Sequence, residues 1–358
     1  MRVYNFSAGP SMLPAEVLEE AQRELLDFAG TGMSVTEISH RDKAYSAVVE
    51  EAERNLRDLL NIPEDYCVIF VQGGASQQFA AVPLNLMHKG KADYLVTGNF
   101  AKKAWQEGKI YGAARVAASS EDKVYTYIPD LDKVEFDDDA DYVHFTSNNT
   151  IFGTRFTKFP ETKAPLACDM SSDILSREID VSKFGVIYAG AQKNMGPAGL
   201  TVVIIREDLI GRARESTPTM FNYATHAENG SMYNTPPTYA IYICGLVLEW
   251  IRDEIGGLEA MQAVNEKKAK LLYEFLDSSK LFKGTVVPED RSLMNIPFVT
   301  GSDELDAQFV AEAKKAGFIN LKGHRSVGGM RASIYNAMPV EGVEKLVALM
   351  ARFEKENA

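Results

Sequence analysis

Tyr188-Ala-Gly-Ala-Gln-Lys193-Asn-Met-Gly-Pro-Ala-Gly199 puts a lysine directly behind an apolar run, inside a turn of glycine and alanine. Lysine is costly to bury unless it is paired or neutralised, and most lysines are solvated. Here the small neighbours leave room for a ring system. The runs 186–189 and 200–205 on either side are short, apolar and β-branched, so both read as strands. The link 191–199, with Gly196, Pro197 and Gly199, is too short for a crossover helix. The second strand should therefore run antiparallel to the first.

Working back from Lys193, Asp169 ends another strand-like run, 166–168. An aspartate there can simply cap a turn. With a lysine strand following, a second reading opens: pyridoxal-phosphate (PLP) chemistry needs an amine for the aldehyde and a carboxylate to keep the pyridine nitrogen protonated. A third segment, Gln72-Gly-Gly-Ala-Ser76, follows the strand-like run 67–71 and opens a helix through Phe79, Val82 and Leu86. Glycines and a helix N-terminus suit a phosphate, although an ordinary strand–helix turn looks the same. Neither G-x-G-x-x-G nor G-x-x-x-x-G-K-[ST] is present there, which counts against dinucleotides and nucleoside triphosphates. Two cationic pairs stand out, His40-Arg41 before the second helix and His324-Arg325 in a glycine-rich turn that runs on to Arg331. Arginine grips carboxylate and phosphate in a bidentate manner.

The whole chain fits such a site. With 358 residues it is long enough for two domains, and 46% hydrophobic and 25% charged residues describe an ordinary globular core. The formal charge of −12 disfavours nucleic acid and anionic membranes, and confines an anionic substrate to a local cationic island. Three widely spaced cysteines argue against a disulfide framework and fit a reducing cytoplasm. No spacing suggests a metal site, and no apolar run is long enough to span a membrane.

Helical and strand-like segments alternate, which predicts an α/β fold. A helix is expected from Pro14 through Val17, Leu18, Ala21, Leu25 and Phe28 to Gly30. A second should bury Tyr45, Val48, Val49, Ala52, Leu56 and Leu59. A strand is expected at 142–145, and a long helix should run through Leu246 and Trp250. A domain change is expected near Gly256-Gly257. Beyond it come a helix over 261–276, strands around Val286 and Ile296, a helix from Asp303 to Gly317, a strand through Ile334 and a final helix through Phe353.

Taken together, Phe6-Ser-Ala-Gly-Pro10, Ile38-Ser-His-Arg41, Gln72-Gly-Gly-Ala75, Ala167-Cys-Asp-Met-Ser-Ser172, the run 185–199, Met232-Tyr-Asn-Thr-Pro-Pro-Thr238 and the run 323–338 resemble the phosphoserine aminotransferases, a family of class V PLP enzymes. The resemblance spans essentially the whole chain in the same order. It implies PLP-dependent transferase fold type I: a mostly parallel seven-stranded sheet in a large domain, 16–257, and a small α/β domain from 1–15 and 258–358. It implies a cytoplasmic homodimer with sites at the interface, Lys193 as the Schiff-base lysine and Asp169 as the pyridine-nitrogen partner. By the same resemblance Ala75, Ser76 and Gln192 lie near the cofactor phosphate, Thr150 contacts the ring, and Asn234 and Thr235 reach the partner's cofactor. Ser7, His40, Arg41, His324, Arg325 and Arg331 would form the substrate site. The implied substrates are phosphoserine, glutamate and their oxo acids, and similar bacterial enzymes also use 4-phosphohydroxy-L-threonine.

Two positions depart from the pattern. Phe100 stands where a tryptophan commonly stacks on the ring, and Ser76 where some members carry arginine. Rival readings are an alanine–glyoxylate type aminotransferase, a cysteine desulfurase, a nicotinamide dehydrogenase and a non-catalytic phosphate-binding protein.

Overall fold

The computed structural model describes residues 2–357; Met1 and Ala358, the outer ends of the expected small domain, lie outside the described residues. In chain order the elements are β1 (Tyr4–Asn5), α1 (Ala15–Arg23), α2 (Lys43–Leu60), β2 (Tyr66–Val71), α3 (Gly74–Leu86), β3 (Lys91–Val96), α4 (Asn99–Tyr111), β4 (Ala113–Ser119), β5 (Val143–Thr146), β6 (Leu166–Asp169), β7 (Val186–Gly190) and β8 (Thr201–Arg206). After these come α5 (Tyr223–Glu228), α6 (Thr238–Glu249), α7 (Leu258–Ser278), β9 (Lys283–Gly284), β10 (Asn295–Val299), α8 (Asp303–Lys315), β11 (Phe318–Ile319), β12 (Met330–Ser333) and α9 (Val340–Asn357).

Seven strands form one sheet in the order β2-β8-β7-β6-β5-β3-β4. All neighbours pair parallel except β8, which runs antiparallel to both β7 and β2. The short link after Lys193 thus makes a reversal, as its length requires. Parallel strands covered on both faces need continuous apolar runs. Accordingly β6, β7 and the first five residues of β8 are buried throughout. One face packs on α2 and α6, with Tyr45, Val49, Ala52 and Leu56 against Ile241, Cys244 and Leu248. The other packs on α3 and α4, with Phe79 and Val82 against Ile69, Tyr188 and Val203. A separate cluster gathers Phe6 with Leu272, Phe282, Phe298, Phe309, Val343 and Phe353, around the three-stranded sheet β12-β10-β9. Strand β1 joins this region by pairing parallel with β11.

Several expected boundaries move. Helix α1 stops at Arg23, and Leu18, Leu25 and Leu26 are exposed. Phe28 instead begins a separate 3-10 turn and packs edge-on against Tyr242 at 5.5 Å, so its apolar signal belongs to a tertiary contact. Val48 and Leu59 lie at the margin of the α2 core and are only partly buried. Val286 is buried without being in a strand; β9 lies just before it, and Pro288 follows. Strand β12 ends at Ser333, one residue before Ile334, because the next three carbonyls accept from a buried lysine, Lys268. Strands β3 and β4 carry no clean apolar pattern. Asp93 is buried in β3, where Arg115 of β4 clamps it with two bonds of 2.7 and 2.6 Å and Asp137 N donates a third at 2.7 Å.

Candidate active site

The sheet brings distant segments of chain to one edge. Asp169 ends β6, and the segments that leave the carboxyl ends of β2, β3, β5 and β7 carry 72–76, Phe100, Thr150 and Lys193 respectively. This is where open α/β sheets receive ligands. Register fixes the spacing: Thr146 lies opposite Asp169, and Asp169 opposite Tyr188, so the acid and the lysine turn end on adjacent strands.

Lys193 donates from Nζ to the Thr150 hydroxyl at 2.9 Å, and the same Nζ lies 5.4 Å from the centre of the Phe100 ring. Its turn is held from the N-terminal segment. Ser11 N donates to the Gln192 carbonyl at 3.0 Å, and the Ser11 hydroxyl bonds the Lys193 carbonyl. Burial lowers the Lys193 pKa to about 8; Asp169 opposes this shift and Arg331 adds to it. Asp169 is almost fully buried and accepts from Ser171 N at 2.9 Å. Burial raises its pKa, and Lys193 pulls it back down. The pair is a buried acid and a buried amine, each of which eases the other's burial.

Gly73 (φ 95°) and Gly74 (φ 68°) turn the chain from β2 into α3, leaving Ala75 and Ser76 in the first turn. Both angles lie where other residues are strained. Gln77 folds back over Gly73, where a Cβ would meet its Oε1 at 1.6 Å. The free N–H groups of the first turn and the helix dipole make an anion site.

Arg331 reaches in from β12. Its Nη1 donates to the Thr150 carbonyl at 3.3 Å, and its buried Nε has no partner among the described residues. His324 takes a bond of 2.7 Å from the Ser326 hydroxyl at Nδ1. Burial lowers its pKa first, and the charges of Arg331, Arg325 and Lys103 lower it further. Ser7 lies beside this group: its hydroxyl accepts from Gly9 N at 3.4 Å, and the neighbouring Ala8 carbonyl accepts from Tyr335. Lys103 is the one cation here that the sequence does not single out, since nothing in its own surroundings distinguishes it from Lys102. The other expected residues make these contacts. His40 and Arg41 bond to each other at 3.4 Å. The Thr235 carbonyl accepts from Gln72 at 3.1 Å and from Asn234 at 3.3 Å.

The arrangement of an amine, a buried acid and a glycine-turned helix start is matched across the chain's length. The profile of the family described as aminotransferase class V matches residues 3–346. The chain belongs to the class V aminotransferases. This aminotransferase is 57% identical to the phosphoserine aminotransferase of Bacillus cereus over 99% of each chain. Its fold superposes on the phosphoserine aminotransferase of Bacillus circulans subsp. alkalophilus with a TM-score of 0.98 and 50% identity, covering 100% of this chain and 99% of that one. The PLP-bound phosphoserine aminotransferase of Trichomonas vaginalis aligns with a TM-score of 0.94 and 42% identity, covering 98% and 100%. A desulfurase would need a mobile, exposed cysteine, whereas Cys168 and Cys244 are buried and Cys67 is half-buried.

Proposed function

We propose that this class V aminotransferase moves an amino group reversibly between L-glutamate and 3-phosphooxypyruvate, giving 2-oxoglutarate and O-phospho-L-serine, with pyridoxal 5'-phosphate as cofactor. The observation that carries the reading is the buried Lys193–Asp169 pair at adjacent strand ends, in a chain 57% identical to a phosphoserine aminotransferase over its full length.

When bound, pyridoxal phosphate supplies an aldehyde that captures amines and a ring that takes up the electron pair of the substrate Cα–H bond. The residues fit it. Asp169, buried and desolvated, keeps a proton on the pyridine nitrogen, and the resulting charge relieves its own burial. The N–H groups of Ala75 and Ser76, with Gln192 nearby, hold the cofactor phosphate. Phe100 covers one face of the ring and excludes water, with less stacking area than an indole. Thr150 orients the Lys193 amine and the 3-hydroxyl side of the ring. With its pKa near 8, Lys193 is partly neutral at physiological pH, and it takes the Cα proton and returns it.

Arg331 binds the α-carboxylate, which satisfies its orphan Nε. His324 and Arg325 hold the distal anion together with the partner subunit's His40 and Arg41, and Ser7 completes this pocket. Asn234 and Thr235 reach the phosphate of the partner's cofactor. We further propose a cytoplasmic homodimer with domain boundaries at 15/16 and 257/258, and 4-phosphohydroxy-L-threonine as a second substrate. The free cysteines fit a reducing compartment, and the separate cluster around Phe6 supports the domain division. Among the described residues no helix is long and apolar enough to cross a membrane.

The test is an assay of the purified, cofactor-loaded enzyme with phosphoserine and 2-oxoglutarate, beside alanine and glyoxylate. Phosphoserine should be strongly preferred. Preference for alanine and glyoxylate would overturn the substrate assignment.

A further inference from the structure

Lys102 and Lys103 are neighbours in sequence with different surroundings. Lys102 turns outward into an ion pair with Glu121 at 2.6 Å. Lys103 makes no ion pair among the described residues. Its Nζ lies 5.8 Å from the centre of the Phe100 ring, the same ring that Lys193 faces at 5.4 Å. Helical spacing accounts for this, because residues three apart share a face and Phe100 lies in the first turn of α4. Lys103 therefore stands one turn further along the wall that covers the cofactor site. From there its charge acts on His324 together with those of Arg325 and Arg331. Three positive charges thus act on one imidazole, in a chain of formal charge −12. Like charges repel, so such a cluster is stabilised when an anion binds between them. Ser76, in the first turn of α3, brings a hydroxyl and no charge.

We propose that Lys103 is a substrate-binding residue whose ammonium grips the distal phosphate of the phosphorylated substrate beside His324 and Arg325. This rests on the functional reading above. It also sets a preference between the two substrates. A phosphate monoester carries roughly −1.5 to −2 charges near neutrality, and glutamate's side chain carries only about −1. An extra ammonium at this point therefore favours the phosphorylated amino acid. Lys103 is exposed and held by no ion pair among the described residues, so a smaller distal anion can bind without it.

The experiment measures both half-reactions of the cofactor-loaded enzyme, one with O-phospho-L-serine and one with L-glutamate. Lys103→Met keeps the aliphatic stem and removes the charge; Lys103→Arg restores a cation; Lys102→Met is the outward-facing control. Lys103→Met should lower kcat/KM for phosphoserine about tenfold, mostly through KM, as expected for one lost charge-assisted contact. Glutamate should change by less than about threefold, and Lys103→Arg should recover most of the loss. Inorganic phosphate should inhibit Lys103→Met more weakly than wild type, and Lys102→Met should match wild type throughout. Unchanged phosphoserine kinetics in Lys103→Met, or equal losses on both substrates, would overturn the assignment. Should wild type itself ignore phosphoserine, the functional reading fails first; should wild type and Lys103→Met use it equally, only the role of Lys103 fails.

Discussion

At the scale of single residues, the chemistry depends on what burial does to two groups. Lys193→Ala removes the amine that captures the cofactor, and turnover should fall to background in a steady-state transamination assay. Lys193 loses its proton near pH 8. Because the neutral amine is the nucleophile, reloading of cofactor-free enzyme should speed up as pH rises from 6 to 8 and level off above. Absorbance of the bound cofactor follows this directly, and a flat profile would contradict it. Asp169→Asn keeps the shape and removes the charge that holds the ring proton, and kcat should drop by about a hundredfold or more. Arg331→Ala should raise KM for phosphoserine and glutamate alike, since both carry an α-carboxylate. A loss confined to phosphoserine would place Arg331 at the distal anion instead.

Elements are tied together by a buried polar network rather than by apolar packing alone. Lys268 of α7 is fully buried and donates to the carbonyls of Ile334, Tyr335 and Asn336 at 3.0, 2.8 and 3.3 Å. Asn336 N then donates to Asn194 at 3.1 Å, next to Lys193, and its side-chain amide donates to the Leu175 carbonyl at 2.8 Å. The end of the Arg331 strand is thereby fixed to the lysine turn. Lys268→Met removes a donor from three carbonyls, of which Tyr335's keeps another from Met338 N at 2.9 Å; at about 1–3 kcal/mol for each of the other two it should destabilise the fold by about 2 kcal/mol or more. Denaturant unfolding measures this. Burial also lowers the Lys268 pKa from 10.5 to about 7. Between those values the unfolded chain binds more protons than the folded one, so this group's contribution to stability grows as pH rises from about 7 toward 10. Wild type should show that rise, and Lys268→Met should lack it.

At the scale of the whole molecule, the side chains of His40 and Arg41 bond to each other and to no other side chain among the described residues, while the cation acting on Lys193 is Arg331. If the pair serves the partner's site, two inactive variants should complement. Mixing Lys193→Ala subunits with His40→Ala/Arg41→Ala subunits under exchange conditions should restore up to about a quarter of wild-type activity, because half the dimers then contain one intact site. Service within the same chain would restore none. Sedimentation of wild type should show a dimer at assay concentrations.

The amino-acid sequence by itself determined the α/β class, the reversal after Lys193, the family and the two residues on which the proposed chemistry rests. These are local or near-local facts. A short glycine-rich link cannot cross over, and a lysine and an aspartate behind apolar runs announce themselves. The sequence did not reveal the strands around Asp93 and Arg115, because their charges hide the apolar pattern until the two side chains clamp each other. It could not separate Phe28 from α1, or rank Lys103 above Lys102. Those distinctions were decided only by tertiary structure. Whether a side chain is buried, paired or aimed into a site depends on partners far away in the chain, and only the folded register brings those partners within reach.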